Sequence, residues 1–267
     1  MRTAGGGPLS SIDLKVLGCH GGQLRGHRTT SFLLDGSLAL DAGTLCQTLT
    51  LDEILKIDHI VLTHAHFDHI KDVPLMADLL TGRRDEPVVV HGSPECIRTL
   101  REHVFNDHLW PDFTTIPSAS NPVMRLEPFD LGETLRLGEY TLHPIPVCHP
   151  VESVGYLVEK GKSMIALSGD TGPTDAIWTS LRNARGLKAV LLETSFPNAL
   201  QRLAEQSGHL TPQTMSDELT GKFPKRNGVP VLLYHLKPAF TRQLYREVEA
   251  AAVKGVRILE LDEEFSF

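Results

Sequence analysis

Between residues 63 and 69 the chain reads Thr63-His64-Ala65-His66-Phe67-Asp68-His69, three imidazoles and a carboxylate within one short stretch. The apolar run Ile60-Val61-Leu62 in front of it reads as the end of a buried strand. Side chains two apart on an extended segment share a face, so His64 and His66 point the same way. A tight turn after them brings Asp68 and His69 in from a second direction. Imidazole nitrogens and carboxylate oxygens are the usual ligands of zinc and its neighbours. Two directions of approach suit two adjacent metal ions better than one. Packing gives no reason for four such groups to crowd behind a hydrophobic strand, so any fold for this chain has to deliver a strand end into a metal-binding turn.

Composition narrows the class. The chain has 267 residues, 41% of them hydrophobic, enough for a sizeable core in one α/β domain. The formal net charge is −7. Gripping a long phosphate backbone takes a basic stripe, so a stable nucleic-acid partner is not expected, whereas short anionic substrates stay open. Cys19, Cys46, Cys96 and Cys148 form no Cys-x-x-Cys pair. That spacing indicates neither a disulfide framework nor a structural zinc knuckle, and fits reduced thiols in a cytoplasmic protein. The opening Met1-Arg2-Thr3-Ala4-Gly5-Gly6-Gly7-Pro8 has no apolar region of a secretory leader. No run approaches the roughly 20 apolar residues of a membrane span.

Along the chain, residues 12–17 alternate as a strand that ends in Gly18-Cys19-His20-Gly21-Gly22, a turn where glycines permit a close approach to a ligand. His20 is therefore a candidate substrate contact, and a plain hairpin turn is the equal alternative. A strand pair around Asp35-Gly36 runs into Asp41, which either orients a ligand histidine or caps a helix. Helices are expected from Pro74 to Gly82 and from Ser93-Pro94 onward, with the strand Val88-Val89-Val90 between them. Residues 105–122 break this regularity with prolines, serines and aromatics. Such a segment is a lid or binding loop, which would bring His108 and Trp110 to a substrate, or a dimer contact or self-packed surface loop. A second half begins near Val123. It holds strands at 134–137, 140–147, 154–159, 163–167, 189–192 and 229–234, with helices at 175–184 and from Thr211-Pro212. Two sheets face to face with helices outside would bury both sets of apolar strands.

Three of these later strands end in a further ligand type. His149 follows Pro146-Val147-Cys148, Asp170 sits in Ser168-Gly169-Asp170-Thr171-Gly172, and His235 follows Leu232-Leu233-Tyr234. With the first cluster they supply enough donors for two zinc sites that share one carboxylate. His27, His59, His91, His103 and His143 have no such setting and read as structural or solvated.

The pattern His-x-His-x-Asp-His, followed by separated His149, Asp170 and His235, resembles the metallo-β-lactamase superfamily over nearly the whole chain. The resemblance implies an αββα four-layer sandwich with metals at one edge between the sheets. It places one metal on His64, His66, His149 and Asp170, and a second on Asp68, His69, Asp170 and His235. Asp170 then bridges two divalent ions, zinc foremost with manganese or iron as alternatives, and a hydroxide lies between them. The stretches Glu193-Thr194-Ser195-Phe196-Pro197-Asn198, Gly208-His209-Leu210-Thr211-Pro212 and His235-Leu236-Lys237-Pro238, with His103-Val104-Phe105-Asn106 and Leu109-Trp110-Pro111, resemble class II cyclic-nucleotide phosphodiesterases. Glu193 and His209 also resemble the pair that tRNA 3′-processing endonucleases use for proton transfer.

The implied activity is hydrolysis of a 3′,5′-cyclic nucleotide, cAMP or cGMP, to the 5′-monophosphate. Asp68, Glu193 and His209 are its catalytic candidates, and a homodimer is compatible with the fold. A tRNA-processing nuclease, a β-lactam hydrolase and a catalytically silent metal-bound sensor are the competing readings. The net charge argues against the first, the phosphodiesterase-like stretches against the second and the intact ligand set against the third.

Overall fold

A computed structural model describes residues 11–224 and 228–267 of the chain. The first ten residues, on which the reading of a missing leader rests, lie outside the described residues. Strand alternation sets the architecture. In Ser31–Leu34 the side chains of Phe32 and Leu34 enter one apolar cluster and Leu33 enters another. Around Val61 the same split sends Val61 one way and Ile60 and Leu62 the other. In Leu187–Glu193, Leu191 faces one side while Val190 and Leu192 face the opposite side. Successive residues of a strand point to opposite faces, so a strand buried on both sides must be apolar on both.

Two seven-stranded sheets result. The first runs in the order Glu264–Ser266, Asp13–Gly18, Ser31–Leu34, Leu38–Leu40, His59–Val61, Val88–Gly92, Met124–Pro128. The second runs Val256–Ile258, Val231–Tyr234, Leu187–Glu193, Ser163–Leu167, Val154–Lys160, Tyr140–Pro146, Leu135–Leu137. Phe32 and Leu34 of the first meet Tyr156, Ile165, Leu191 and Tyr234 of the second in a shared core. Met76 and Ile97, from helices Asp72–Leu80 and Pro94–Thr99, cover the outer face of the first sheet. Trp178, Met215 and Leu244, from Ala176–Asn183, Pro212–Lys222 and Thr241–Ala251, cover that of the second. This is the expected αββα sandwich. Removing one large central side chain, as in Phe32→Ala, would cost about 3–5 kcal/mol.

Ser93 and Thr211 cap their helices with Pro94 and Pro212 at the first helical position, as their sequence signals indicate. The helix assigned to Pro74 starts earlier, at Asp72. Proline is tolerated there because the first four helical N–H groups have no intrahelical partner. The boundary near residue 123 also shifts. Met124–Pro128 pairs in parallel with Val88–Gly92 and completes the first sheet, while Glu264–Ser266 returns to pair with the N-terminal strand. The two halves therefore interlock, because a five-residue alternating run carries no mark of which sheet it joins.

Residues 105–122 do not cover the histidine turn. Val88–Gly92 runs parallel to His59–Val61, and the helix from Pro94 returns towards the opposite end of the sheet. There Val88 N–H donates to Val123 O at 3.1 Å. Pro117, Asn121 and Pro122 line a small cavity with Leu80, Gly82 and Arg84. The lid reading, and with it His108 and Trp110 as substrate contacts, gives way to a loop packed on the far end, with Trp110 against the helix-side core.

Candidate active site

The candidate ligands leave the C-terminal ends of strands along one edge of the sandwich, where open α/β sheets offer their crevices. Asp41 follows Leu38–Leu40, His64 follows His59–Val61, His149 follows Tyr140–Pro146, Asp170 follows Ser163–Leu167 and His235 follows Val231–Tyr234. His66 precedes the short helix Phe67–Ile70, and this change of direction separates Asp68 and His69 from His64 and His66. Asp41 and His235 have left-handed backbones, with φ of 58° and 68°. Non-glycine residues hold that conformation only where their surroundings impose it. For His235 the surroundings include its own N–H, donated to Cys19 O at 2.7 Å, and Gly21, where a Cβ would lie 2.6 Å from the His235 ring.

The seven ligand candidates converge. His64 Nε2 and His149 Nε2 lie 2.9 and 3.1 Å from His66 Nδ1. Asp170 Oδ2 is 3.8 Å from His64 Nε2, 3.3 Å from His69 Nε2 and 3.2 Å from His235 Nε2. Asp68 Oδ2 is 3.3 Å from His235 Nε2. One donor group comprises His64, His66, His149 and Asp170, another Asp68, His69 and His235, and Asp170 Oδ2 stands between them. A third overlapping group joins Asp170 and His235 with His209.

The outer ring nitrogens show why these donors point inward. A carboxylate only accepts, so His69 Nδ1, 2.7 Å from Asp41 Oδ2, carries the proton and turns Nε2 to the cluster. His149 Nδ1 donates to Gly208 O at 3.0 Å. The Thr63 hydroxyl donates to Asp41 and accepts from His64 Nδ1 at 2.9 Å. The Ser195 hydroxyl donates to Glu193 Oε2 at 2.9 Å and accepts from His235 Nδ1 at 2.8 Å. Four inward imidazole nitrogens thus face one another. Asp170 Oδ1 is buried and finds no hydrogen-bond partner among the described residues, an expensive arrangement for a carboxylate.

Only positive charge relieves this crowding. In the metal-free chain protons supply part of it. Burial opposes protonation of His69, but Asp170 and Asp41 overcome it and hold His69 well above the ordinary imidazole range. His64 is driven well below that range, first by burial and then by His69. Nitrogen-rich, preoriented donors with an orphaned carboxylate oxygen fit divalent metal ions.

Beside the ligands lies a second array. Glu193 is fully buried. Its Oε1 accepts from His209 Nδ1 at 2.9 Å and from Thr171 N–H at 3.1 Å. The His209 ring stacks on His235 at 5.3 Å between centroids and meets His149 edge-on at 5.1 Å. Burial works against its charge, yet Glu193 raises its pKa above the ordinary value. Gly208, just before it, has φ of +64° and packs against His149 so closely that a Cβ would lie 2.9 Å from His149 Cα.

Sequence reasoning gave no role to Thr63 or Ser195. Both were visible as hydroxyls adjacent to candidate residues, but nothing marked them as relays. Ser195→Ala is expected to leave the fold intact and weaken binding at the His235 donor group by about 10–100-fold, as loss of an outer partner of a ligand does. Chelator competition measures it, and unchanged affinity would deny Ser195 this role.

His20 lies next to His235, pairing its backbone with Leu236. Burial and neighbouring His27, 4.6 Å away ring to ring, lower its pKa to about 4. His59 and His91 pair with each other at 3.1 Å, apart from this cluster.

A family profile described as the Beta-lactamase superfamily domain matches residues 30–229. The chain belongs to the metallo-β-lactamase superfamily. Among its relatives, the probable 3′,5′-cyclic-nucleotide phosphodiesterase of Yersinia pestis is 27% identical over 206 residues, 69% of this chain and 58% of its own. The 3′,5′-cyclic-nucleotide phosphodiesterase 1 of Saccharomyces cerevisiae is also 27% identical over 206 residues, covering 66% of this chain and 55% of its own. The chain thus spans little more than half the length of these two relatives. Unliganded yeast PDE1 superposes with a TM-score of 0.78 at 21% identity, over 94% of this chain and 98% of that one. The short form of human tRNase Z gives 0.67 at 17% identity, over 95% and 98%. These likenesses establish the fold. Among the described residues, no helix is long and apolar enough to cross a membrane.

Proposed function

We propose that this chain hydrolyses a 3′,5′-cyclic nucleotide to the nucleoside 5′-monophosphate with two divalent ions, zinc foremost and manganese or iron as alternatives. The observation that carries this reading is the buried Glu193–His209 pair on the border of a two-group donor cluster. Breaking a cyclic phosphodiester expels a basic ribose 3′-alkoxide, which needs a proton. An imidazolium held charged by a buried carboxylate supplies one.

His64, His66, His149 and Asp170 would hold one ion, and Asp68, Asp170, His69 and His235 the other. Bound there, the ions would polarise the phosphoryl oxygens and lower the pKa of water. The chain's own groups do the rest. Asp68 is held below the usual carboxylate range: burial opposes its charge, but the His235 hydrogen bond and nearby His69 outweigh it. It is therefore ionised at neutral pH and accepts a hydrogen bond from the attacking water, aligning it. The water releases one proton to solvent as its oxygen bonds to phosphorus, the bond from phosphorus to O3′ breaks, His209 Nε2 delivers its proton to O3′, and the neutral His209 regains a proton from solvent. Glu193 fixes the His209 ring through Nδ1, leaving Nε2 as the delivering nitrogen. A net charge of −7 favours a small anion over a polynucleotide, and the intact donor set favours turnover over silent ligand sensing.

Assay of cAMP and cGMP with metal-loaded protein tests the reading. Release of 5′-monophosphate, abolished by chelator and restored by added zinc, is the expected result. No cleavage of either with metal confirmed bound would overturn it.

A further inference from the structure

Lys237 follows the ligand His235 by two residues, and its side chain is three-quarters buried. Its ammonium lies 4.0 Å from Asp68 Oδ2 and 5.9 Å from the centre of the Phe196 ring. The Phe196 ring in turn meets His209 at 5.6 Å. Lys237 N–H donates to Ser195 O at 3.1 Å, so the backbone that presents the ammonium is tied to the strand end carrying the Glu193 array. Among the described residues, no other lysine or arginine ion-pairs with Asp68 or Asp170.

A lysine tail ordinarily keeps its ammonium in water with large rotamer freedom. Here an aromatic face and a carboxylate hold it at the rim of the donor cluster. Asp68 belongs to that cluster, and its Oδ2 is already shared with His235 at 3.3 Å. Once Asp68 serves a cation there, the ammonium keeps its position over Phe196 but needs another acceptor. It has three N–H donors and no acceptor of its own, so the acceptor must be anionic or a lone-pair oxygen.

We infer that Lys237 is a substrate-binding residue that holds a non-bridging oxygen of a phosphodiester monoanion between the metal donors and His209. The inference rests on the phosphodiester reading above and adds the group that selects for the anionic phosphate. It also explains why the ammonium sits on the same side as the proton donor: the oxygen it holds is attached to the phosphorus whose leaving oxygen His209 protonates.

The test uses metal-loaded wild type, Lys237→Met and Lys237→Arg. Affinity is measured for dimethyl phosphate, a phosphodiester monoanion with no base or sugar, and kcat and KM for the cyclic nucleotide. A charge-assisted hydrogen bond to phosphate predicts about 10–100-fold weaker dimethyl phosphate binding in Lys237→Met, with a parallel rise in KM and unchanged metal content. Lys237→Arg should recover most of the affinity. Binding as tight in Lys237→Met as in wild type overturns the inference. So does a wild type that binds no dimethyl phosphate, or a loss in Lys237→Met accounted for by lost metal. Should wild type cleave no cyclic nucleotide, the proposed function fails, and the dimethyl phosphate titration still decides Lys237.

Discussion

Asp170→Asn is expected to remove turnover while leaving the sandwich folded. Asp170 is almost completely buried. Its Oδ2 lies within 3.8 Å of three inward imidazole nitrogens, those of His64 and His69 from the turn after His59–Val61 and that of His235 from the end of Val231–Tyr234. Asparagine keeps the shape but brings an amide whose N–H groups repel a cation and whose oxygen carries no full charge. The charge that ties the two donor groups together disappears. A metal's contribution to phosphoryl transfer is worth several kcal/mol, so loss of either ion should lower kcat/KM by about 10³-fold or more. Metal analysis should show fewer ions per chain, and circular dichroism an unchanged fold. Wild-type loading together with wild-type turnover would contradict the bridging position.

The metal-free chain carries a separate signature. Burial works against the Asp170 charge, yet His235, then His69 and His64, hold its carboxyl well below its usual range. A depressed carboxyl stabilises the fold above its unfolded pKa, and this contribution is lost as pH falls through the folded value. Asp170→Asn should therefore flatten the acid side of the metal-free stability profile.

The convergence of these donors could be read from the chain because each candidate ligand is local to a strand end. His64, His66, Asp68 and His69 are neighbours in sequence, and His149, Asp170 and His235 each follow an apolar run. The four-layer fold was legible for the same reason: runs apolar on both faces require cover on both faces. What escaped was whatever depends on where strands go. The run around Met124 alternates as a strand should, yet only tertiary pairing assigns it to the first sheet. The aromatics of 105–122 suggested a binding loop, but the direction of the preceding helix carries them to the far end. Thr63 and Ser195 escaped because a hydroxyl relay has no spacing of its own.

Those two hydroxyls reveal an order that neither half shows alone. Asp41 binds His69 directly and reaches His64 through the Thr63 hydroxyl. Glu193 binds His209 directly and reaches His235 through the Ser195 hydroxyl. Each sheet thus contributes one fully buried carboxylate that orients two histidines, one by contact and one by relay. The difference lies in the histidine held by contact. His69 turns Nε2 to Asp170 at 3.3 Å within the donor cluster. His209 lies at its border, where Phe196 and Lys237 also approach. On the function proposed above, the same local device would serve metal binding on one side and proton delivery on the other.

That division predicts a specific phenotype for His209→Ala. Turnover of a cyclic nucleotide should fall by about 10²–10⁴-fold, the usual contribution of a positioned general acid. Metal content should be unchanged, because His235 keeps its Ser195 partner and the other ligands do not depend on His209. The pH profile separates proton donation from mere packing. His209 must be protonated to act, and Glu193 outweighs burial to raise its pKa above the ordinary imidazole value. Wild-type activity should therefore persist below that raised pKa and decline as pH rises through it. Glu193→Gln removes the charge that raises it, so the alkaline decline should move to lower pH. In His209→Ala the decline should vanish from the residual rate. A substrate with a leaving group of low basicity, such as a p-nitrophenyl phosphodiester, needs no proton and should lose far less. If His209→Ala slows both substrates equally and keeps the alkaline decline, His209 only shapes the site and another group protonates the leaving oxygen.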